Sequence, residues 1–471
     1  MSLRNVLIGA LLAGLVLAVS SSQADEKKSE PVARTTPRLT APEIPFTKYQ
    51  LENGLTVILH QDSTLPLVAV NIWYHVGPAN EPPKRSGFAH LFEHLMFEGS
   101  RHVGREFDVL LESVGATNVN GTTNWDRTNY FETVPREHLE LVLWIESDRM
   151  GYMLDGLNEE RLDIQRDVVK NERRQSYENS PYGPSTLVLM NTLFPEGHPY
   201  YGAVIGSMED LSRATLDDVK EFFRAYYAPS NATLAIAGDF DPERVKPLIE
   251  RYFKTLPDRK PPQVPRLAYK PLDKPARLVV DEPVDLAQVS MGWRTPPAYT
   301  KDDPVLDVVM ALLAGGKATR LYRSLVVDKK LAADVSAALD SNQLSSFAIV
   351  SATVASGKPV ADVERELDAA LRELEKNGPN AAELERAKSR ILLSVLSNIE
   401  LLNGPGGESG RVGLLQRFDH YTGNPGYLGQ WLEQVERVSA ADVQRVMTEH
   451  LKAGARAVVV TRPKAAAQGA K

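Results

Sequence analysis

The run His90-Leu91-Phe92-Glu93-His94 lies in an apolar stretch that reads as a helix. Ser86 stands where an N-cap would, residues 87–97 hold no proline, and Gly99 suits a stop. Histidines four apart on a helix leave from one face, one turn above the other, so both imidazoles can reach a single ion. A helical histidine pair is also a common surface feature. Spacing alone therefore leaves a metal site and a bare helix face both open.

The order is the inverse of the His-Glu-x-x-His pattern of helical zinc sites, with the glutamate beside the second histidine. A catalytic zinc typically takes three protein ligands and keeps a fourth position open. The chain has no cysteine, so a third ligand must be His, Asp or Glu. Glu172 is the best-placed candidate. It lies in the helical pattern 159–177, three after Val169 and four after Val168, at the edge of what reads as the buried face. A solvated helix carboxylate fits the same spacing. Glu93, beside the pair without needing to bind a metal, has the place of a general base that takes a proton from water.

Composition removes several alternatives. Without cysteine there is no disulfide, thiolate nucleophile or thiolate ligand, and no Gly-x-Ser-x-Gly elbow is present. The net charge of −7 is spread without long single-sign blocks, which argues against a nucleic-acid partner. An apolar content of 43% is enough for more than one core. Residues 1–24 read as a signal peptide, with Arg4, the apolar run 6–19 and the small-x-small site Ser22-Gln23-Ala24. That run is short for a membrane span, and no stable span is expected once it is cleaved. The chain is thus expected to be periplasmic or secreted, with a loose lead-in over 25–42.

A weak internal duplication divides the remainder. Thr215 and Asp218 before one helix-and-strand pattern match Ser439 and Asp442 before another, an offset of 224. A compatible offset of 216 sets His90, Glu93 and His94 against Leu306, Val309 and Met310, so only the first copy carries the polar set. These relations predict an α+β chain of two homologous domains, 43–257 and 278–463. Each is a mixed, mostly antiparallel sheet packed with helices. A proline-rich linker is expected over 258–277 and a tail over 464–471. A hairpin turning at Asn53-Gly54, strands over 66–75 and 128–134, and helices over 136–147, 361–376 and 381–399 fill in the pattern. The glycine-rich stretch 403–413 reads as a flexible loop, since no lysine closes a phosphate-binding pattern.

Three segments carry a family resemblance: residues 87–100 around the histidine pair, 123–135 (Thr-Asn-Trp-Asp-Arg-Thr-Asn-Tyr-Phe-Glu-Thr-Val-Pro) and 168–175 (Val-Val-Lys-Asn-Glu-Arg-Arg-Gln). The chain resembles the inverzincin metallopeptidases, the pitrilysin, insulinase and mitochondrial processing peptidase group, and among them the short bacterial members. The resemblance implies half of a clam-shell fold and one Zn2+ per chain held by His90, His94 and Glu172, with Glu93 as the base. It also implies an edge strand at Asn120, Gly121 and Thr122 that binds peptide by strand addition. Where relatives often carry a further acid, seven before the third ligand, this chain has Gln165, which can still hydrogen-bond as a supporting group. Relatives also use an arginine and, seven on, a tyrosine against bound peptide, and the matching positions here are Val326 and Ala333. The resemblance therefore implies a zinc-carrying subunit paired with a zinc-less homologue that supplies both residues, or else a homodimer. A non-catalytic, structural or chaperone-like member of the same family is the alternative.

Overall fold

The computed structural model describes residues 42–464, apart from 105–106 and 263–266. The expected signal peptide, almost all of the lead-in and the tail after Lys464 lie outside the described residues.

The first half contains β1 (Thr47–Gln50), β2 (Thr56–Gln61), β3 (Leu67–Tyr74), α1 (Phe88–Leu95), α2 (Phe107–Ser113), β4 (Thr117–Thr123) and β5 (Thr128–Pro135). It continues with α3 (Leu139–Gly156), α4 (Glu159–Arg173), α5 (Gly183–Leu193), α6 (Met208–Arg213), α7 (Leu216–Tyr226), β6 (Ala232–Gly238) and α8 (Pro242–Phe253). The second half contains β7 (Ala276–Glu282), β8 (Gln288–Thr295), α9 (Asp303–Leu313), β9 (Ala332–Asp340), β10 (Ser346–Val354) and α10 (Val360–Asn377). It ends with α11 (Ala381–Ile399), α12 (Gly410–Thr422), α13 (Leu428–Arg437), α14 (Ala440–His450) and β11 (Ala457–Pro463).

The two sheets repeat one plan. The first runs β1-β2-β6-β3-β5-β4 and the second β7-β11-β8-β10-β9. In each, one parallel pair (β2 with β6, β7 with β11) joins an otherwise antiparallel sheet. The matched helix starts have the same chemistry. Thr215 and Ser439 both form reciprocal caps, with Asp218 and Asp442 at the third helical position. The turn between β1 and β2 places Gly54 at φ 90°, a left-handed backbone that glycine adopts without strain.

Each sheet is covered on both faces, which is why its central strands read as nearly continuous apolar runs. On β3, Val68, Val70, Ile72 and Tyr74 enter the main core beneath the helices of the first half. Ala69 enters a second, smaller core, where it meets Val412 and Leu415 of α12. The halves exchange cover. Helix α12 of the second half lies on the first sheet, and α5 of the first half lies on the second sheet, with Leu189 and Leu193 packed near Ala457 and Val459. Gln416 fastens the first exchange, its Nε2 donating to the carbonyls of Asn71 and Thr233, each at 2.8 Å.

Candidate active site

Helix α1 carries the histidine pair because its apolar positions anchor it. Phe88, Leu91, Phe92 and Leu95 are buried. Phe92 stacks on Phe222 and Phe223 of α7, with ring centroids at 5.2 and 6.2 Å. His90, Glu93 and His94 occupy the other side. Ser86 is not the N-cap: Gly87 is, at φ 88°, with no side-chain cap. The hydroxyl of Ser86 donates instead to Asp210 at 2.6 Å. The first N–H groups of α1 are met from a distance, since Glu81 accepts from Gly87 N and Ala89 N, both at 2.9 Å. A remote carboxylate thus does the work expected of a local serine.

Glu172 comes to the pair from the last turn of α4. Its buried stripe is Leu162 and Val169, whereas Val168, expected on that face, is 41% exposed. Glu172 Oε2 lies 3.2 Å from His94 Nε2 and 3.6 Å from His90 Nε2. Ligand atoms about 2.0–2.1 Å from a tetrahedral zinc sit roughly 3.3–3.4 Å apart, so these separations match the edges of such a site. Burial, and then the neighbouring His94, pulls the His90 imidazole down to about 4. The hydrogen bond with His94 holds the Glu172 carboxyl below its ordinary value. His90 Nδ1 is buried without a partner. The two Nε2 atoms and the carboxylate oxygen converge on one place, as three ligands of a single ion would. The residues fit a divalent ion with nitrogen and oxygen ligands.

Glu93 points into the same place from the face of α1. Burial raises its pKa, and the Thr123 hydroxyl, donating to Oε2 at 2.7 Å, opposes that rise. Thr123 ends β4, the edge of the first sheet, which among the described residues pairs only with β5 and shifts register between Thr117 and Asn120. Asn120 is exposed and Gly121 is buried. A Cβ on Gly121 would come within 3.0 Å of Glu93 Cγ, so a bare backbone at this position lets the strand run close to the base. Thr122 is already engaged: its carbonyl accepts from Arg127 Nη1 at 2.7 Å, and its hydroxyl donates to Asn129 Oδ1 at 2.6 Å.

The Gln165 amide is held by Glu98. His102 bonds Asp148, away from the pair. A second cluster, Asp302, Glu449 and His450, also brings three donor atoms together, but Arg445 already pairs with both Asp302 and Glu449. Sequence reasoning missed Thr123 as the partner of Glu93 and Glu81 as the anchor of α1. Neither has a local spacing that could have flagged it.

The fold and this donor set define a class, two-domain chains with an inverted histidine–glutamate zinc motif, and comparison with known proteins agrees. Residues 56–193 match the model of the insulinase family, peptidase family M16, and residues 213–391 match that of the peptidase M16 inactive domain. The first match contains all four motif residues, and the second contains Leu306, Val309 and Met310. The chain is 30% identical over 424 residues to the zinc protease PqqE of Helicobacter pylori, covering 88% of this chain and 92% of that protein. An uncharacterized zinc protease of Bacillus subtilis, YmxG, is 23% identical over 78% of this chain and 88% of its own length. The solved structure of a protease from Helicobacter pylori superposes with a TM-score of 0.82 at 28% identity, covering 90% of this chain and 100% of that one. The periplasmic protease PqqL of Escherichia coli shares the fold at 17% identity and a TM-score of 0.72, with 90% of this chain spanning 48% of that one. The protein belongs to the insulinase family, peptidase family M16, and is of its short bacterial type.

Proposed function

We propose that this chain is the zinc-carrying subunit of an exported endopeptidase that cleaves peptides or unfolded segments. The observation that supports this most is the meeting of His90 Nε2, His94 Nε2 and Glu172 Oε2 beside Glu93 and an open sheet edge. Zinc held by these three residues would supply Lewis acidity toward a peptide carbonyl and make a nearby water more acidic. Glu93 takes the proton of the attacking water as its oxygen bonds the carbonyl carbon. It then passes that proton to the leaving nitrogen as the C–N bond breaks. Thr123 holds one oxygen of Glu93, leaving the other to face the substrate. The peptide adds as a strand along β4, centred on Asn120 and Gly121, where the backbone is bare and close to the base.

Val326 and Ala333 stand where relatives carry the arginine and tyrosine. Val326 packs partly against the second core and Ala333 is exposed on β9. A zinc-less homologous chain supplying both side chains accounts for this, and a homodimer is the second arrangement. Among the described residues no helix is long and apolar enough to cross a membrane. A periplasmic setting is supported by the signal-like N-terminus and by the periplasmic neighbour PqqL.

The test compares wild type with Glu93→Gln, each alone and mixed with a zinc-less homologue. Glu93→Gln should keep its zinc and lose cleavage by at least about a thousandfold, because only the proton acceptor is removed. Retained cleavage would contradict the role of Glu93, and no cleavage by the wild type, alone or mixed, would leave the non-catalytic reading. Full activity of the unmixed chain would contradict the need for a partner.

A further inference from the structure

The glycine-rich stretch, expected to be a flexible loop, is docked onto the first sheet at β4 and β5. Gly406 and Gly407 have φ of 68° and 63°. A Cβ on Gly407 would lie 2.4 Å from Asn129 Nδ2 and 2.5 Å from Phe131 Cδ1, both on β5. The absence of side chains thus lets the backbone lie directly on the sheet. The Gly406 carbonyl accepts from Asn129 Nδ2 at 3.3 Å and lies 3.1 Å from Thr122 Oγ1, and the Gly407 carbonyl accepts from Asn71 Nδ2 at 2.7 Å.

The next residue, Glu408, grips the turn between β4 and β5. Its Oε1 accepts from Asn124 Nδ2 at 2.5 Å and from Arg127 Nε at 3.0 Å, and it pairs with Arg127 Nη2. Arg127 is buried over the Trp73 ring at 5.0 Å and donates to the Thr122 carbonyl and to Asn129. Burial works against the charge of Glu408, but Arg127 and Arg417 hold its carboxyl below the ordinary value. About a third of its side chain, 34%, still meets solvent through a cavity of about 390 Å3 that it lines with Asn124 and Arg417. Asp126 fastens the same turn to the second half, accepting from Gln343 N at 2.8 Å and Tyr421 OH at 3.1 Å.

We propose that Glu408 is a positioning residue for peptide hydrolysis. From the second half, it fixes the end of β4 and with it the Thr123 hydroxyl that holds Glu93. Strand β4 needs such support, because it has a sheet neighbour on one side only and an irregular start. Thr123 is one residue from Asn124, so a displaced turn moves the hydroxyl that orients the base. A small misplacement of a catalytic group costs rate more than binding. The kinetic half of this inference rests on the peptidase reading above.

The experiment uses the full, zinc-loaded chain with its partner subunit, as wild type, Glu408→Gln and Glu408→Ala. Glu408→Gln keeps the shape and loses the charge, so it guards against loss of folding in the alanine variant. Expected are a kcat lowered about tenfold in the glutamine variant and further in alanine, KM within about threefold, and unchanged zinc content. Amide exchange over 117–124 should quicken by about tenfold while α1 keeps its protection. Unchanged kcat and unchanged exchange in a folded Glu408→Ala protein would overturn the proposal. Faster exchange throughout the chain with a lowered Tm would also overturn it, since that marks a merely structural role. If the wild type cleaves no peptide, the peptidase reading fails, while the exchange over 117–124 still decides whether Glu408 holds the strand.

Discussion

The Thr123 hydroxyl is what orients Glu93 among the described residues. Thr123→Val keeps the size and shape of the side chain and removes that donor. Its kcat/KM should fall by roughly 10- to 100-fold with zinc content unchanged, in line with about 1.5–3 kcal/mol for a hydrogen bond to a charged group. Undiminished kcat/KM would show that Glu93 is held by other means. Glu81 offers a pH test. Burial pushes its carboxyl from 4.5 up to about 7, against the pull of the Ala89 and Gly87 amides. Between those values the folded chain keeps a proton that the unfolded chain has released. The stability from this group is therefore full in acid and is lost as pH rises toward 7. Glu81→Gln should flatten the fall in unfolding free energy over that window, by at most about 1.4 kcal/mol per pH unit, as read from urea melts. An identical slope would contradict this. His90, Glu93 and His94 were legible because a helix converts a spacing of four into adjacency with no help from the rest of the chain. Glu172, 78 residues beyond His94, needed the family pattern. Thr123 and Glu81 were hidden because their contacts depend on how separate segments meet.

The helices and strands were read from period and punctuation, and most of what was misjudged lies at their ends. Ser86 has the chemistry of a cap but not the geometry, because Asp210 holds it and Glu81 takes its place. On α4, Val168 and Val169 are equally apolar, and only packing decides that one is buried and the other 41% exposed. The exchange of α5 and α12 between the sheets left no local trace, since an apolar helix face does not specify which sheet it covers. Gln416 tests that exchange. Gln416→Leu removes two hydrogen bonds to strand carbonyls and should destabilise the fold by about 1–3 kcal/mol, as measured by denaturant unfolding. An unchanged midpoint would mean that α12 is held by its apolar contacts alone. The glycine-rich stretch is the clearest case of a misleading composition: the residues that suggested slackness are the ones that permit close approach to Asn129 and Phe131.

Across the whole molecule, one plan is used twice and only one copy carries the polar set. The duplication was visible in the sequence because caps and apolar periods survive divergence, and the two sheets confirm it in their strand order. The second half carries apolar Leu306 and Met310 where the first has histidines, both buried in its core. On the proposed reading the second half supports the first, and another chain supplies the peptide contacts that Val326 and Ala333 do not offer. All of this rests on one divalent cation held between α1 and α4. Zinc-edge anomalous scattering from crystals of the metal-loaded chain tests it most directly. A peak is expected about 2.0–2.2 Å from His90 Nε2, His94 Nε2 and a Glu172 oxygen, with Glu93 unbound. A peak at Asp302, Glu449 and His450 instead, or none between the two helices, would contradict it.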